Sequence, residues 1–213
     1  MRKWLPAVLI LATLAFSVAA YNRLPERMVI HWNASGEPDG YGSRAFGVFL
    51  LPAVLIGIWG LLVALPRLDP RRANIEQFRG TYDLLVIAVV AVLCVLQVGI
   101  VGSALGWPIQ VGRLAPVSIG ALIMFLGTLL PRFKSNFFFG IRTPWTLSSE
   151  TVWARTHQVG GYAVSLVGLL LVVAGIMGTH RWFLVAICGG MALIIGLLAY
   201  SYLLWRGEQS TGH

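Results

Sequence analysis

The closest approach to a reactive set in this chain is one short stretch, Ile30-His31-Trp32-Asn33-Ala34-Ser35-Gly36-Glu37-Pro38-Asp39-Gly40. His31, Glu37 and Asp39 carry imidazole and carboxylate groups, the donors a divalent metal takes. A single histidine with no paired-ligand spacing is a poor metal set. No metal is therefore expected, and His31 is expected to hydrogen-bond within its loop or to sit near lipid headgroups. His157 belongs to a different inter-run segment, on the opposite side of the arrangement derived below, so the two histidines do not cooperate. The chain has no His-Glu-x-x-His motif, glycine-rich phosphate loop or nucleophile–base pair, so neither catalysis nor a cofactor is expected.

The elements that must carry these residues are set by hydropathy. The 16 basic and 8 acidic residues all fall between, or at the ends of, uncharged apolar runs. Those runs are Trp4–Ala20, Ala45–Pro66, Leu84–Ala104, Leu114–Leu130, Val159–Gly178 and Trp182–Trp205, from 17 to 24 residues long. A hydrocarbon core of about 30 Å takes roughly 20 helical residues, and a soluble core helix would show a charged face that none of these has. The expected fold is an all-α integral membrane protein, a bundle of six transmembrane helices. It divides into a two-span hairpin over residues 1–66, a third span with a basic loop over 67–110, and a three-span region over 111–213. Hydrophobic residues make up 57% and charged residues 11% of the 213, the latter under half the roughly 25% of soluble domains. Cys94 and Cys188 lie inside runs and read as small packing residues.

A net charge of +8 raises the question of nucleic acid, but a lipid bilayer accounts for it better, because Lys and Arg gather on the cytoplasmic side of spans. With a cytoplasmic N-terminus, eleven basic residues fall inside and five outside. Both termini are therefore expected in the cytoplasm, with no direct nucleic-acid binding. Trp4, Trp107, Trp182 and Trp205 stand at run ends, where indoles anchor at headgroup level. The first run also has features of a signal peptide, with Arg2 and Lys3 before it and Ser17-Val18-Ala19-Ala20 at its end. Its 17 residues exceed an ordinary apolar signal core of roughly 7 to 15, and cleavage would leave the other spans' orientation unchanged.

No Asp, Glu, Lys, Arg or His lies inside a run, whereas ion-coupled transporters carry such groups near the midplane. Gln97 is the most polar mid-run residue and reads as an interhelical hydrogen-bond donor. Gly102 with Gly106, and Gly161 with Ser165, are spaced for close helix packing. Pro52 is placed to bend the second span, and Pro116 lies near the start of the fourth.

Two inter-run segments hold most of the remaining information. The outer one, Tyr21–Arg44, is rich in turn formers, and its Met28–Trp32 stretch is β-compatible. An extended segment followed by a compact turn is expected. The inner one, Pro131–Gln158, contains Phe137-Phe138-Phe139, Trp145 and Trp153, more aromatic than a connector requires. Thr143-Pro144 marks a helix boundary. Ser148 is placed to cap a following helix, with Ser149 and Glu150 in its first turn and Val152, Trp153 and His157 farther along. The whole reads as an interfacial elbow pinned by Arg142, whose guanidinium is expected to bond backbone carbonyls, stack on Trp145 or Trp153, or present charge. The other inner segment, Arg67–Asp83, reads as a solvated basic loop with a short interfacial helix over Ala73–Tyr82.

Leu24-Pro25, Ile30-His31-Trp32-Asn33 and Gly36-Glu37-Pro38-Asp39-Gly40-Tyr41-Gly42-Ser43-Arg44 resemble the N-terminal domain of unknown function of SdpI-family membrane proteins. Asn136, Gly140-Ile141-Arg142-Thr143-Pro144-Trp145-Thr146-Leu147, Glu150, Val152-Trp153 and His157 are similar to that family's second signature. Arg44 stands where the family pattern often has Lys. The resemblance implies a multi-pass plasma-membrane protein conferring immunity to a secreted killing peptide, the sporulation-delay toxin. It also implies a receptor that holds a small cytoplasmic DNA-binding repressor at the membrane. The residues it nominates for contact with peptide or partner, or for structure, are His31, Asn33, Gly36, Gly40, Asn136, Gly140, Arg142, Pro144, Trp145, Glu150 and Trp153. A membrane assembly factor and a small-molecule transporter are the alternatives from other classes.

The charge asymmetry makes a direct prediction. In a Cys-free background, single cysteines at Ser35 and Ser148 will label from opposite faces with an impermeant thiol reagent, and labelling of both from outside would overturn the orientation.

Overall fold

The computed structural model describes residues 4–211, so the basic pair Arg2 and Lys3 lies outside the described residues. Eight helices follow in order: α1 (Leu5–Ala20), α2 (Arg44–Leu68), α3 (Arg72–Gln77), α4 (Arg79–Ala104), α5 (Val111–Leu129), α6 (Pro144–Ser148), α7 (Glu150–Met177) and α8 (His180–Thr211). Six of them, α1, α2, α4, α5, α7 and α8, are long and apolar enough to cross a membrane. Their outer faces stay uncovered, with Val8, Leu61, Ile176 and Leu203 all exposed. Such faces require lipid as solvent. The protein is a multi-pass membrane protein with six spans among the described residues.

Helices α5 and α7 approach most closely through small residues. A Cβ on Gly127 would stand 2.7 Å from the Gly161 carbonyl oxygen, and one on Gly168 would stand 2.3 Å from the Met124 nitrogen. Ser165 Oγ donates to the Met124 carbonyl at 3.2 Å. The expected packing role of Gly161 and Ser165 is therefore seen. Gly102 and Gly106 serve the turn into α5 instead: a Cβ on Gly102 would meet the Trp107 ring at 2.5 Å, and Gly106 has φ +86°.

Helix α2 contains Pro52 and Pro66. A proline has no N–H, so each leaves the carbonyl four residues earlier, Val48 and Leu62, without its helical donor. Both are met from α4. Gln97 Nε2 donates to the Val48 carbonyl at 3.1 Å and also reaches the Gly47 carbonyl at 3.3 Å and Ser17 Oγ of α1 at 3.2 Å. Tyr82 donates its hydroxyl hydrogen to the Leu62 carbonyl. Gln97 is the interhelical donor expected of it, and the acceptor that matters most is one created by a proline.

At one end of the bundle, β1 (Arg27–Trp32) and β2 (Pro38–Ser43) form an antiparallel hairpin, with Val29 opposite Tyr41 and His31 opposite Gly40. This is the extended segment and turn expected of the outer loop. Met28, 1% exposed, packs with Ala20, Leu24, Val48 and Val101, seating the hairpin on α1, α2 and α4. A Cβ on Gly47 would stand 2.8 Å from Met28 Sδ, so the small residue admits the plug.

The proline-to-glutamine link predicts coupling. Gln97→Leu should destabilise the bundle by about 1–2 kcal/mol. In a Pro52→Ala background, where residue 52 regains an N–H for the Val48 carbonyl, the same change should cost less. A double-mutant cycle read by denaturant titration in detergent checks this, and strict additivity would contradict it.

Candidate functional site

The elbow joins α5 to α7 at the bundle end opposite the hairpin. It is an ordered knot in which most backbone polar groups have a named partner. Asn136, 0% exposed, accepts at Oδ1 from the Phe138 and Phe139 N–H groups at 3.0 and 2.6 Å, and its Nδ2 donates to the Lys134 carbonyl at 2.9 Å. A side-chain amide can donate and accept at once. Gly140 follows with φ +96°, where a Cβ would stand 2.3 Å from His157 Nε2.

His157, 0% exposed, lies on the second turn of α7 and stacks on Trp153 with ring centroids 4.0 Å apart. Its Nδ1 lies 2.8 Å from the Trp153 carbonyl, which can only accept, so Nδ1 carries the hydrogen. Nε2 is then free to accept from the Ile141 N–H at 3.0 Å. The imidazole thus works as a two-sided connector between helix and elbow. Trp153 completes the contact by donating from Nε1 to the Phe133 carbonyl at 2.7 Å.

Beyond Gly140, Thr143 caps α6. Its hydroxyl accepts from the Thr146 N–H at 3.1 Å, while Thr146 Oγ1 accepts from the Thr143 N–H at 2.8 Å. Pro144 sits at the first helical position, where its missing N–H costs nothing. The cap of α7 is Ser149, whose Oγ accepts from the Val152 N–H at 3.2 Å. It is not Ser148, which ends α6 and donates back to the Trp145 carbonyl. The extra turn of helix over Pro144–Ser148 moves the boundary by one residue. Glu150, exposed, opens α7, as expected for a carboxylate near a helix N-terminus. Trp145 donates from Nε1 to Ser201 Oγ at 2.5 Å and meets Tyr202 edge-on, tying the elbow to α8.

Arg142 makes the backbone-carbonyl contact expected of it, and not the stacking. One guanidinium nitrogen donates to the Phe137 carbonyl at 2.9 Å, and the two tryptophans offered for stacking face Tyr202 and His157. The pinning arginine is Arg71, from the segment that reads as a solvated loop. It donates to Ser135 Oγ and to the Leu147 carbonyl at 2.9 Å and lies over the Phe137 ring at 5.1 Å. Asp69, 2% exposed, accepts from the Arg71 N–H at 2.7 Å and from the Phe137 N–H at 2.9 Å, and Asn74 Nδ2 donates to the Ser135 carbonyl at 2.8 Å. Ile75, Phe78 and Tyr82 sit in one cluster with Phe133, Phe139 and Trp153. The segment therefore packs under the elbow and does not lie free on the membrane surface. The Asp-Pro pair at residues 69 and 70 was the local signal, since an aspartate bonding the N–H two residues on makes a turn of its own. Nothing in the sequence identified its second partner.

The hairpin end gathers the other nominated residues. Asn33 Oδ1 accepts from the Ser35 and Glu37 N–H groups at 2.9 and 3.0 Å, shaping the turn in which Gly36 takes φ +80°. Gly36 lies against Gly112 of α5, where a Cβ on residue 112 would stand 2.1 Å from the Gly36 carbonyl oxygen. His31 Nδ1 and Asp39 Oδ1 are 2.5 Å apart on the exposed face of the hairpin, while a Cβ on Gly40 would press at 2.7 Å on the His31 Cβ. Beneath the tip, between the starts of α5 and α8 and the end of α7, opens a cavity of about 610 Å³. Trp32, Ile109, Arg113, Ile119, Leu171 and Phe183 are among its walls. The two groups of nominated residues thus form two sites at opposite ends of the bundle.

Comparison with known proteins matches both ends. Residues 132–201 match the SdpI/YfhL protein family, and residues 8–56 match a domain of unknown function, DUF1648. The chain is 24% identical over 198 residues to the protein "Immunity protein SdpI" of Bacillus subtilis (strain 168), covering 91% of this chain and 93% of that one. No solved structure matches.

Two predictions come from the knot. Gly140→Ala will cost about 2–4 kcal/mol, combining left-handed strain with the collision on His157. Gly106→Ala, at similar φ but with no neighbour within 4 Å, will cost only the strain. Equal losses in unfolding titrations would contradict the His157 contact. Separately, Arg71→Lys will speed amide exchange across Phe137–Leu147 by about tenfold or more, since one ammonium cannot replace a fork and a ring contact. Arg142→Lys will leave that exchange near wild type, and the reverse order would return the pinning role to Arg142.

Proposed function

We propose that this chain, which matches the SdpI/YfhL family over residues 132–201, is a member of that family and protects its cell against a secreted, membrane-active killing peptide. The near end-to-end similarity to an immunity protein carries this reading. In the proposed orientation, supported by the basic asymmetry, the hairpin faces outside and the elbow faces the cytoplasm. The cavity under the hairpin tip is then the surface offered to the peptide. Its apolar walls suit a hydrophobic segment, and the Arg113 guanidinium has no hydrogen-bond or ion-pair partner among the described residues.

A receptor role is the finer reading. It is supported by the rigidity of the elbow and by the charge and aromatic surface there: Phe137 is 41% exposed, with Arg132, Lys134 and Arg142 also exposed nearby. Such a face suits a small cytoplasmic repressor. On this reading, peptide at the hairpin end would change how the elbow holds that partner.

The test is expression of the full chain in Bacillus cells lacking their own immunity gene, challenged with the sporulation-delay toxin. Survival is expected, and Ile119→Trp, which fills the cavity, should reduce it at unchanged membrane levels. Death of cells carrying normal levels of the wild-type chain would favour an assembly role.

A further inference from the structure

At the elbow end, beside the network just described, two adjoining cavities run from α3 up between α1, α2 and α4. The first, about 430 Å³, has Arg67, Arg72 and Arg79 in its walls. The second, about 440 Å³, is lined by Trp4, Pro6, Trp59 and Leu62 and shares Val63, Arg67 and Arg79 with the first. Two carboxylates face this space, Glu76 and Asp83, and both bond Arg79, at 3.2 and 3.1 Å. Arg67 and Arg72 keep guanidinium groups without a partner among the described residues. Arg71, their neighbour, is consumed by the elbow.

We propose that this groove binds one anionic phospholipid, its phosphate between Arg67 and Arg72 and an acyl chain along Trp4, Trp59 and Leu62. The polarity sequence supports a lipid over a soluble anion: a cationic mouth at the level where the helices end opens into an apolar, aromatic groove facing the bilayer. Basic pockets between transmembrane helices on the cytoplasmic side take such headgroups. Arg67 closes α2 and Arg72 opens α3, so a shared phosphate would clamp the α2–α3 connection from which Asp69, Arg71 and Asn74 hold the elbow. This inference does not depend on the immunity reading.

The full chain, purified in detergent, is titrated with phosphatidylglycerol or phosphatidylcholine and read by native mass spectrometry and by its unfolding midpoint. Wild type should retain one phosphatidylglycerol selectively and unfold later with it. Arg67→Gln/Arg72→Gln should bind it roughly twenty-five-fold more weakly, at about a factor of five per charge. Val63→Trp, which keeps both arginines and fills the shared wall, should also lose it, and it tests the groove should the double variant fail to fold. Equal retention of the two lipids by wild type, undiminished binding by the variants, or displacement by glycerol phosphate at the lipid's concentration would each overturn the proposal.

Discussion

Hydrocarbon supplies no hydrogen bonds, so each backbone group that a transmembrane helix leaves open must find a partner inside the protein. Helix α2 opens two such groups by carrying Pro52 and Pro66, and α4 answers both, with Gln97 at Val48 and Tyr82 at Leu62. The two contacts lie near opposite ends of α2, so they set both the separation and the register of the two helices. Helix α1 joins the same arrangement through Ser17. The hairpin in turn seats Met28 between these helices. Prolines that would weaken an isolated helix therefore help specify which neighbour it takes.

The elbow meets the same constraint by another route. Residues 133–143 form neither a long helix nor a sheet, and their amides and carbonyls would be costly at the membrane boundary if left open. Many of them are taken up by Asp69, Asn74, Asn136, Arg142, Trp153 and His157, and Arg71 adds bonds to the Ser135 hydroxyl and the Leu147 carbonyl. Asp69, Arg71 and Asn74 come from the α2–α3 connection and the others from the elbow and α7, so the elbow keeps its shape only while the two segments stay together. A change at the connection, whether by charge substitution or by a bound lipid, acts directly on the surface that the elbow presents.

The hairpin end has a different character. Its turn is closed by its own Asn33, and glycines at 36 and 112 let the tip settle on α5 without side chains between them. A stable turn held above apolar helix ends leaves a cavity, not a filled core. The hairpin end is thus an opening beneath a self-closed turn, and the elbow end a hydrogen-bonded knot with a groove beside it.

Several features were legible in the residues alone because they are local. Apolar run length fixes the number of spans, Thr143-Pro144 and the serines before Glu150 mark helix starts to within a residue, and the turn formers after Trp32 dictate a reversal. Asn33 and Asn136, nominated for contact or for structure alike, each bond amides two to four residues on, an arrangement that needs nothing distant. What the sequence left open is pairing at long range. That Asp69 meets Phe137, that Arg71 and not Arg142 pins the elbow, and that Gln97 answers Pro52 depend on segments dozens of residues apart. A charged loop looks solvated in one dimension, because its partners are backbone groups that every residue carries. Only the tertiary structure decides which of those groups are left open, and so which side chains must turn inward to meet them.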